Sequence, residues 1–175
     1  MRASSAAVCL AVLASSNAMG AEHMTPAEVQ SRIQRDGARA TLEAVYRDPA
    51  SWRALLAAVA SGRADWLMVA NVLHATSDAG ASEQLSLAVG EALANHPQQV
   101  LSASASEFGL AAICSGPDVD DARFSSYHTA MAAIAARQQA VRAVTDESLR
   151  SARDSCIAAL ERSKAGIARF FGVMK

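Results

Sequence analysis

The sequence of 175 residues is half apolar (51%), poor in aromatics (5%) and near neutral, with 16 basic against 17 acidic side chains. That length suffices for one domain with its own core, and the abundance of alanine, which carries no side-chain entropy cost, leans the chain toward helix. No stretch of about 18 apolar residues occurs, which excludes a membrane-spanning helix. No lysine or arginine lies between Ala64 and Ala122, which argues against nucleic acid as a partner.

The first residues read as an export signal. Arg2 precedes the apolar run AAVCLAVLA (6–14), and Ser16-Asn17-Ala18 places small side chains for a cut before Met19, with a cut as late as Ala21 as the alternative. The expected division is a signal peptide over 1–18 and a single all-helical domain over 19–175, soluble after cleavage and periplasmic or secreted. Cys9 leaves with the signal. Cys114 and Cys156 remain, the even number that a structural disulfide in an oxidising compartment requires.

Thr25, Pro26 and Glu28 spell a capping box with proline in the first turn, predicting a helix that stops at Gly37. A second helix runs through ARATLEAVYR (38–47). Asp48-Pro49 repeats the cap-plus-proline signal and opens a third, ending near Gly62. Ala64–Ala75 reads as the fourth helix, TSDAG as a turn and Ser82–Asn95 as the fifth. His96-Pro97 starts a short sixth over PQQVLSA, with His96 as its cap, and SEFGLAAIC forms a seventh that ends at Gly116-Pro117.

Two long helices follow. In the first, capped by Asp120 or Asp121 and reaching about Val144, the residues Phe124, Tyr127, Met131, Ile134 and Val141 recur at three and four, with only Gln138 breaking the stripe. Thr145 and Asp146 interrupt the pattern. The last helix places Leu149, Cys156, Leu160, Ile167 and Phe171 on one face. One apolar stripe per helix and no period-two strand give an all-α fold. It is expected to be an irregular helical array closed by a long C-terminal antiparallel helical hairpin, with HEAT-like helical hairpins as one arrangement of the first four helices. Trp52 and Trp66 sit at helix starts among leucines and are expected in the core, and the apolar C-terminal ARFFGVMK is expected to dock on the body.

The stretch AAICSGPDVDDARF (111–124) sets a cysteine and three aspartates around a Gly-Pro turn. Its acids resemble the start of a calcium loop, but position five is Ala122, position six Arg123 and position twelve Thr129 in place of a bidentate Glu. The alternative is a disulfide-pinned corner between helices. A helix from Asp121 to Val144 is about 35 Å long, and Cys156 lies roughly 16 Å back along its partner. The seven residues from Asp121 to Cys114 span at most about 23 Å, enough to cover the remaining 19 Å or so. A Cys114–Cys156 bond is therefore within reach.

Other chemistry is sparse. None of His23, His74, His96 and His128 has a second ligand at helical spacing. His128 reads as a partly buried helix residue. GASEQ at Gly80 lacks the second glycine and the preceding strand of a nucleophile elbow, and neither a phosphate-binding glycine loop nor a dinucleotide fingerprint occurs. No catalytic, metal or cofactor-binding residue is expected.

Charge is the uneven feature. Between Ala64 and Ala122 there are eight acids and no base, whereas from Arg123 onward nine bases face four acids. The halves either neutralise each other or display an acidic face to a basic partner protein, where complementarity speeds association and sets specificity. In size, export signal, helicity and a lone disulfide the chain resembles small exported helical proteins of proteobacteria, toxin-neutralising immunity proteins among them; no motif carries that resemblance, and no residue role comes with it. The leading reading is an exported, non-enzymatic protein-binding module of inhibitor, immunity or adaptor type, using Asp78, Glu83, Glu91, Asp118 and Asp120. The alternatives are an enzyme with a site gathered from Glu83, Glu91, His74 and His128, or a small-ligand carrier.

Overall fold

The computed structural model describes residues 24–173, so the expected export signal lies outside the described residues. Among them are ten α-helices and no strand: α1 (Pro26–Asp36), α2 (Ala38–Arg47), α3 (Pro49–Ala60), α4 (Ala64–His74), α5 (Ala79–Ala92), α6 (Pro97–Ala103), α7 (Ala105–Phe108), α8 (Leu110–Ile113), α9 (Tyr127–Arg142) and α10 (Arg150–Phe170). The fold is all-α, as the periodicity implies.

Side-chain capping explains the starts of α1, α3, α5 and α9. Thr25 and Glu28 form the predicted capping box of α1, and Asp48 accepts the Ala50 and Ser51 amides at the start of α3. Three boundaries differ from expectation. Helix α5 begins at Ala79, before Ser82, because Asp78 accepts the Ala81 amide and caps it. The predicted seventh helix splits into α7 and α8 at Gly109, whose φ of 78° a helix cannot carry. The first long helix starts at Tyr127, because Ser126 and Thr129 cap each other reciprocally, while Asp121 caps only a 3-10 turn over Ala122–Phe124.

Helix α4 is the hub. It touches α1, α2, α3, α5, α6 and α7, and its buried Trp66, Leu67, Val69, Ala70 and Leu73 leave little polar surface of its own. Helix α3 lies chiefly along α5, so the first four helices form no regular stack of hairpins. Helices α9 and α10 pack along each other as the closing hairpin, with Ile134, Val141, Cys156, Leu160 and Ile167 buried between them and the body. Gln138, the polar break in the α9 stripe, is buried with them and donates from Nε2 to Glu161 Oε1 at 2.7 Å. A buried amide needs such a partner, so the break is satisfied within the hairpin.

Cys114 and Cys156 are joined, with an S–S distance of 2.02 Å and Cα atoms 5.2 Å apart, and neither is exposed. Both tryptophans are buried, Trp52 donating from Nε1 to Gln84. Phe171 packs against the core while Phe170 stays 62% exposed, so the C-terminal segment docks by one of its two rings. Two histidine expectations need correction. His128 is exposed on α9, and His96 makes no side-chain cap to α6. Its ring instead lies over Gly62, where an added Cβ would come within 2.6 Å of His96 Cδ2. No helix among the described residues is long and apolar enough to cross a membrane.

Candidate functional site

An open groove of about 830 Å³ runs between α3 and α5 and is walled by the 118–123 segment. Positions 83, 84, 87, 88 and 91 of α5, and 53, 56, 57 and 60 of α3, line it; each set recurs at three- and four-residue spacing and so shares one helix face. The floor is apolar, from Leu56 and Ala57 on one side and Leu87 and Ala88 on the other. Around it stand five carboxylates, Glu83, Glu91, Asp118, Asp120 and Asp121, against the cations Arg53 and Arg123.

The wall has little regular structure and is fixed by side chains. Its root, Cys114, is tied to α10. The next carbonyl, of Ser115, accepts from Arg137 Nη1 at 2.9 Å. Gly116 then passes so close to α10 that a Cβ there would lie 3.0 Å from Ile167 Cδ1, and Pro117 is buried. At the far end Arg123 bridges wall and helix: it donates to Glu91 through both terminal nitrogens at 2.8 and 3.1 Å, and to Asp121 Oδ2 at 2.6 Å. The two-point geometry suits a planar guanidinium.

These bonds set the local charge states. The Arg123 side chain, backed by its own amide, holds the Asp121 carboxyl below the usual aspartate range, and Arg123 is itself held above the ordinary arginine value by Asp121 first and Glu91 second. Behind them Arg137 is buried at 3% exposure; desolvation pushes it down to about 10 and Glu91 opposes that shift, so it stays cationic at neutral pH. Asp121 has the lower pKa when folded. Its contribution to holding the wall is therefore complete above the ordinary aspartate range and disappears as pH falls through the lowered value. In an NMR titration the Asp121 carboxyl is expected to titrate below the ordinary aspartate range, and to return toward it in Arg123→Ala; an Asp121 that titrates in the ordinary range in the wild type would mean that Arg123 does not hold the wall in solution.

Few ion pairs among the described residues join the two oppositely charged parts. Among the described residues, ion pairs joining the basic C-terminal part to the acidic middle all run through Arg123. The other C-terminal pairs, Arg142–Glu161, Lys164–Glu161, Arg150–Glu147 and Arg153–Asp154, stay within that part. Glu83, Asp118 and Asp120 are exposed at the groove and form no ion pair among the described residues.

Four of the five carboxylates singled out from sequence thus share this groove. Asp78 does not; its carboxylate is spent on the N-cap of α5. Arg53, Asp121, Arg123 and the apolar floor went unmarked, since Leu56 and Leu87 carry the same spacing as core residues. Of the residues suspected for catalysis, Glu83 and Glu91 line the groove and His128 stands apart. His74 lies elsewhere, its Nε2 2.8 Å from Ser82 Oγ and its Nδ1 3.4 Å from Glu107 Oε1. Among the described residues no three His, Cys, Asp or Glu side chains gather as metal ligands. Comparison with protein-family models, with curated proteins and with solved structures finds no match, which leaves the geometry of the chain as the ground for its function.

Proposed function

We propose that the chain is an exported protein-binding module whose groove between α3 and α5 receives a basic, amphipathic segment of a partner protein. The observation that carries this reading is the conjunction of an apolar floor with Glu83, Asp118 and Asp120 on its rim, three exposed carboxylates that form none of the ion pairs among the described residues, Asp118 accepting only the Asp120 amide. An apolar strip gives an amphipathic segment area to bury, and rim charges of one sign select a basic partner and speed its approach. The disulfide favours an oxidising compartment, in keeping with the export signal read at the N-terminus.

Two designed helical peptides test this, one with lysine and leucine on opposite faces and one with glutamate in place of lysine. Titrated against the oxidised protein by fluorescence anisotropy, the lysine peptide is expected to bind more tightly, and to weaken as salt rises. The double reversal Glu83→Lys, Asp120→Lys should weaken it about tenfold, which is about 1.4 kcal/mol. Equal binding of both peptides, or no effect of the reversal, would overturn the reading. Asp78 is unsuitable for reversal, because the change would also remove a helix cap.

A further inference from the structure

On α5 the groove-facing positions are 83, 84, 87, 88 and 91, whereas Ser82 points to the other side of the helix, toward α4. There Ser82 Oγ lies 2.8 Å from His74 Nε2, and the opposite ring nitrogen, Nδ1, lies 3.4 Å from Glu107 Oε1. A hydroxyl, an imidazole and a carboxylate thus stand in series, one from each of α5, α4 and α7. Phe108 lies against the imidazole, with ring centroids 4.0 Å apart, and steadies its plane. The geometry points to a second site: Ser82 as a nucleophile, His74 as its general base and Glu107 as the group that orients the base, acting on carboxylic esters.

The argument is one of roles and positions. Nucleophile, base and orienting acid need only the right mutual contacts, and the same series arises on unrelated folds in any chain order. With Glu107 accepting from Nδ1–H, Nε2 is left as the acceptor facing the Ser82 hydroxyl, which is the tautomer that removes its proton. The longer His74–Glu107 contact is in keeping with a substrate-free arrangement. His74 is mostly buried, with a side-chain exposure of 16%, while Glu107 is open at 37%. The same seam holds polar capacity that the fold does not use. Asn71, one turn before His74 on α4, donates to Ala103 O, yet its Oδ1 is buried without a hydrogen bond, and so is Ser104 Oγ, one turn before Phe108. Buried polar atoms left unpaired are costly, so a structure rarely retains them without a reason. A neutral or cationic ester is the better fit, because α4, α5 and α7, which carry the series, hold no lysine or arginine for an anionic one.

In the step itself Ser82 Oγ bonds to the acyl carbon and the bond to the leaving alkoxide breaks. His74 takes the Oγ proton and passes it to the alkoxide; water then cleaves the acyl-serine, releasing the acid, with no change of oxidation state. The oxyanion would draw on the positive end of α5, which the Asp78 cap partly offsets. Turnover is therefore expected to be slow, and covalent trapping reads the site better than product formation does.

The test is a neutral alkyl fluorophosphonate, whose phosphorus takes Ser82 Oγ as fluoride leaves. Incubated with the oxidised protein and mapped by peptide mass spectrometry, it is expected to label Ser82. His74→Ala should slow labelling about 10²-fold, with partial rescue by added imidazole. Glu107→Gln should slow it while leaving the melting temperature unchanged, which separates positioning from a purely structural contact. Absence of label at Ser82 in the wild-type protein, or label shared equally with exposed serines such as Ser106 and Ser155, would overturn the proposal, as would a His74→Ala variant that is folded by circular dichroism and labels at the wild-type rate. The groove reading plays no part in this test, so either can fail alone.

Discussion

Replacing both Cys114 and Cys156 with alanine is expected to cost the domain about 4 kcal/mol, and to lower its melting temperature by roughly 8–16 °C. The bond closes a loop across a sequence separation of 42 residues, and freeing a loop of that size restores its entropy to the unfolded chain. Stability of a domain this size is itself of the order of 5–15 kcal/mol, so one bond contributes a large share. Urea denaturation of the double variant beside the oxidised and the reduced wild type measures the loss; a difference below about 1 kcal/mol would show that side-chain packing, not the cross-link, holds the corner. The loss should also be local. Cys114 roots the groove wall, whose remaining ties are Arg137 to Ser115 and Arg123 to Glu91. Amide hydrogen exchange in the variant should therefore quicken over 115–124 more than over α3 or α4. If the groove binds a basic segment, affinity should fall in the same variant, because Asp118 and Asp120 ride on that wall.

Which parts of this molecule could be read from its sequence follows from the range of the interactions involved. The caps of α1 and α3 are settled within four residues, and Thr25-Pro26-Glu28 and Asp48-Pro49 announce them directly. The Cys114–Cys156 bond spans far more chain, yet its feasibility depends only on helix rise and chain reach, and those are nearly constant. The groove was half legible. Sequence shows that Glu83 and Glu91 lie deep in a stretch without lysine or arginine and that Asp118 and Asp120 lie near its end, but not that α3 and the 118–123 segment would bring them together over an apolar floor. The bridging role of Arg123 is not legible in sequence because it depends on Glu91, thirty-two positions away. His74 is a suspect from sequence, but its partners Ser82 and Glu107 are not legible there for the same reason. The first two flank a turn, eight residues apart, while Glu107 joins them only because Gly109 breaks the predicted seventh helix and leaves α7 as a single turn against α4. His128 was misplaced because an α9 position beside the apolar stripe can turn either way until its neighbours are known.

Gly90 shows how far packing can reverse a local rule. In the middle of α5 a glycine reads as a weakness, and alanine in its place would ordinarily gain about 1 kcal/mol. Here a Cβ would come within 2.6 Å of the carbonyl oxygen of Ile113, so α8 sits where any larger side chain must go. The obstructing atom belongs to the backbone and cannot swing aside, and Ile113 directly precedes the disulfide at Cys114. Gly90→Ala is therefore expected to destabilise the domain, toward the upper end of the 1–3 kcal/mol that overpacking usually costs, even after the helix gains in propensity. Gly166 on α10 is the matched contrast: nothing lies within 4 Å of its added Cβ, and Gly166→Ala should stabilise by up to about 1 kcal/mol. Urea denaturation of the two variants gives the signs. If both stabilise, α5 and α8 are not in close contact in solution, and the groove wall loses the fixed root that the approach of Gly90 to Ile113 gives it beside Cys114. If only Gly166→Ala does, the missing side chain at Gly90 is what lets α8 approach, seats the disulfide and holds the acidic wall at the distance from α5 that Arg123 can bridge.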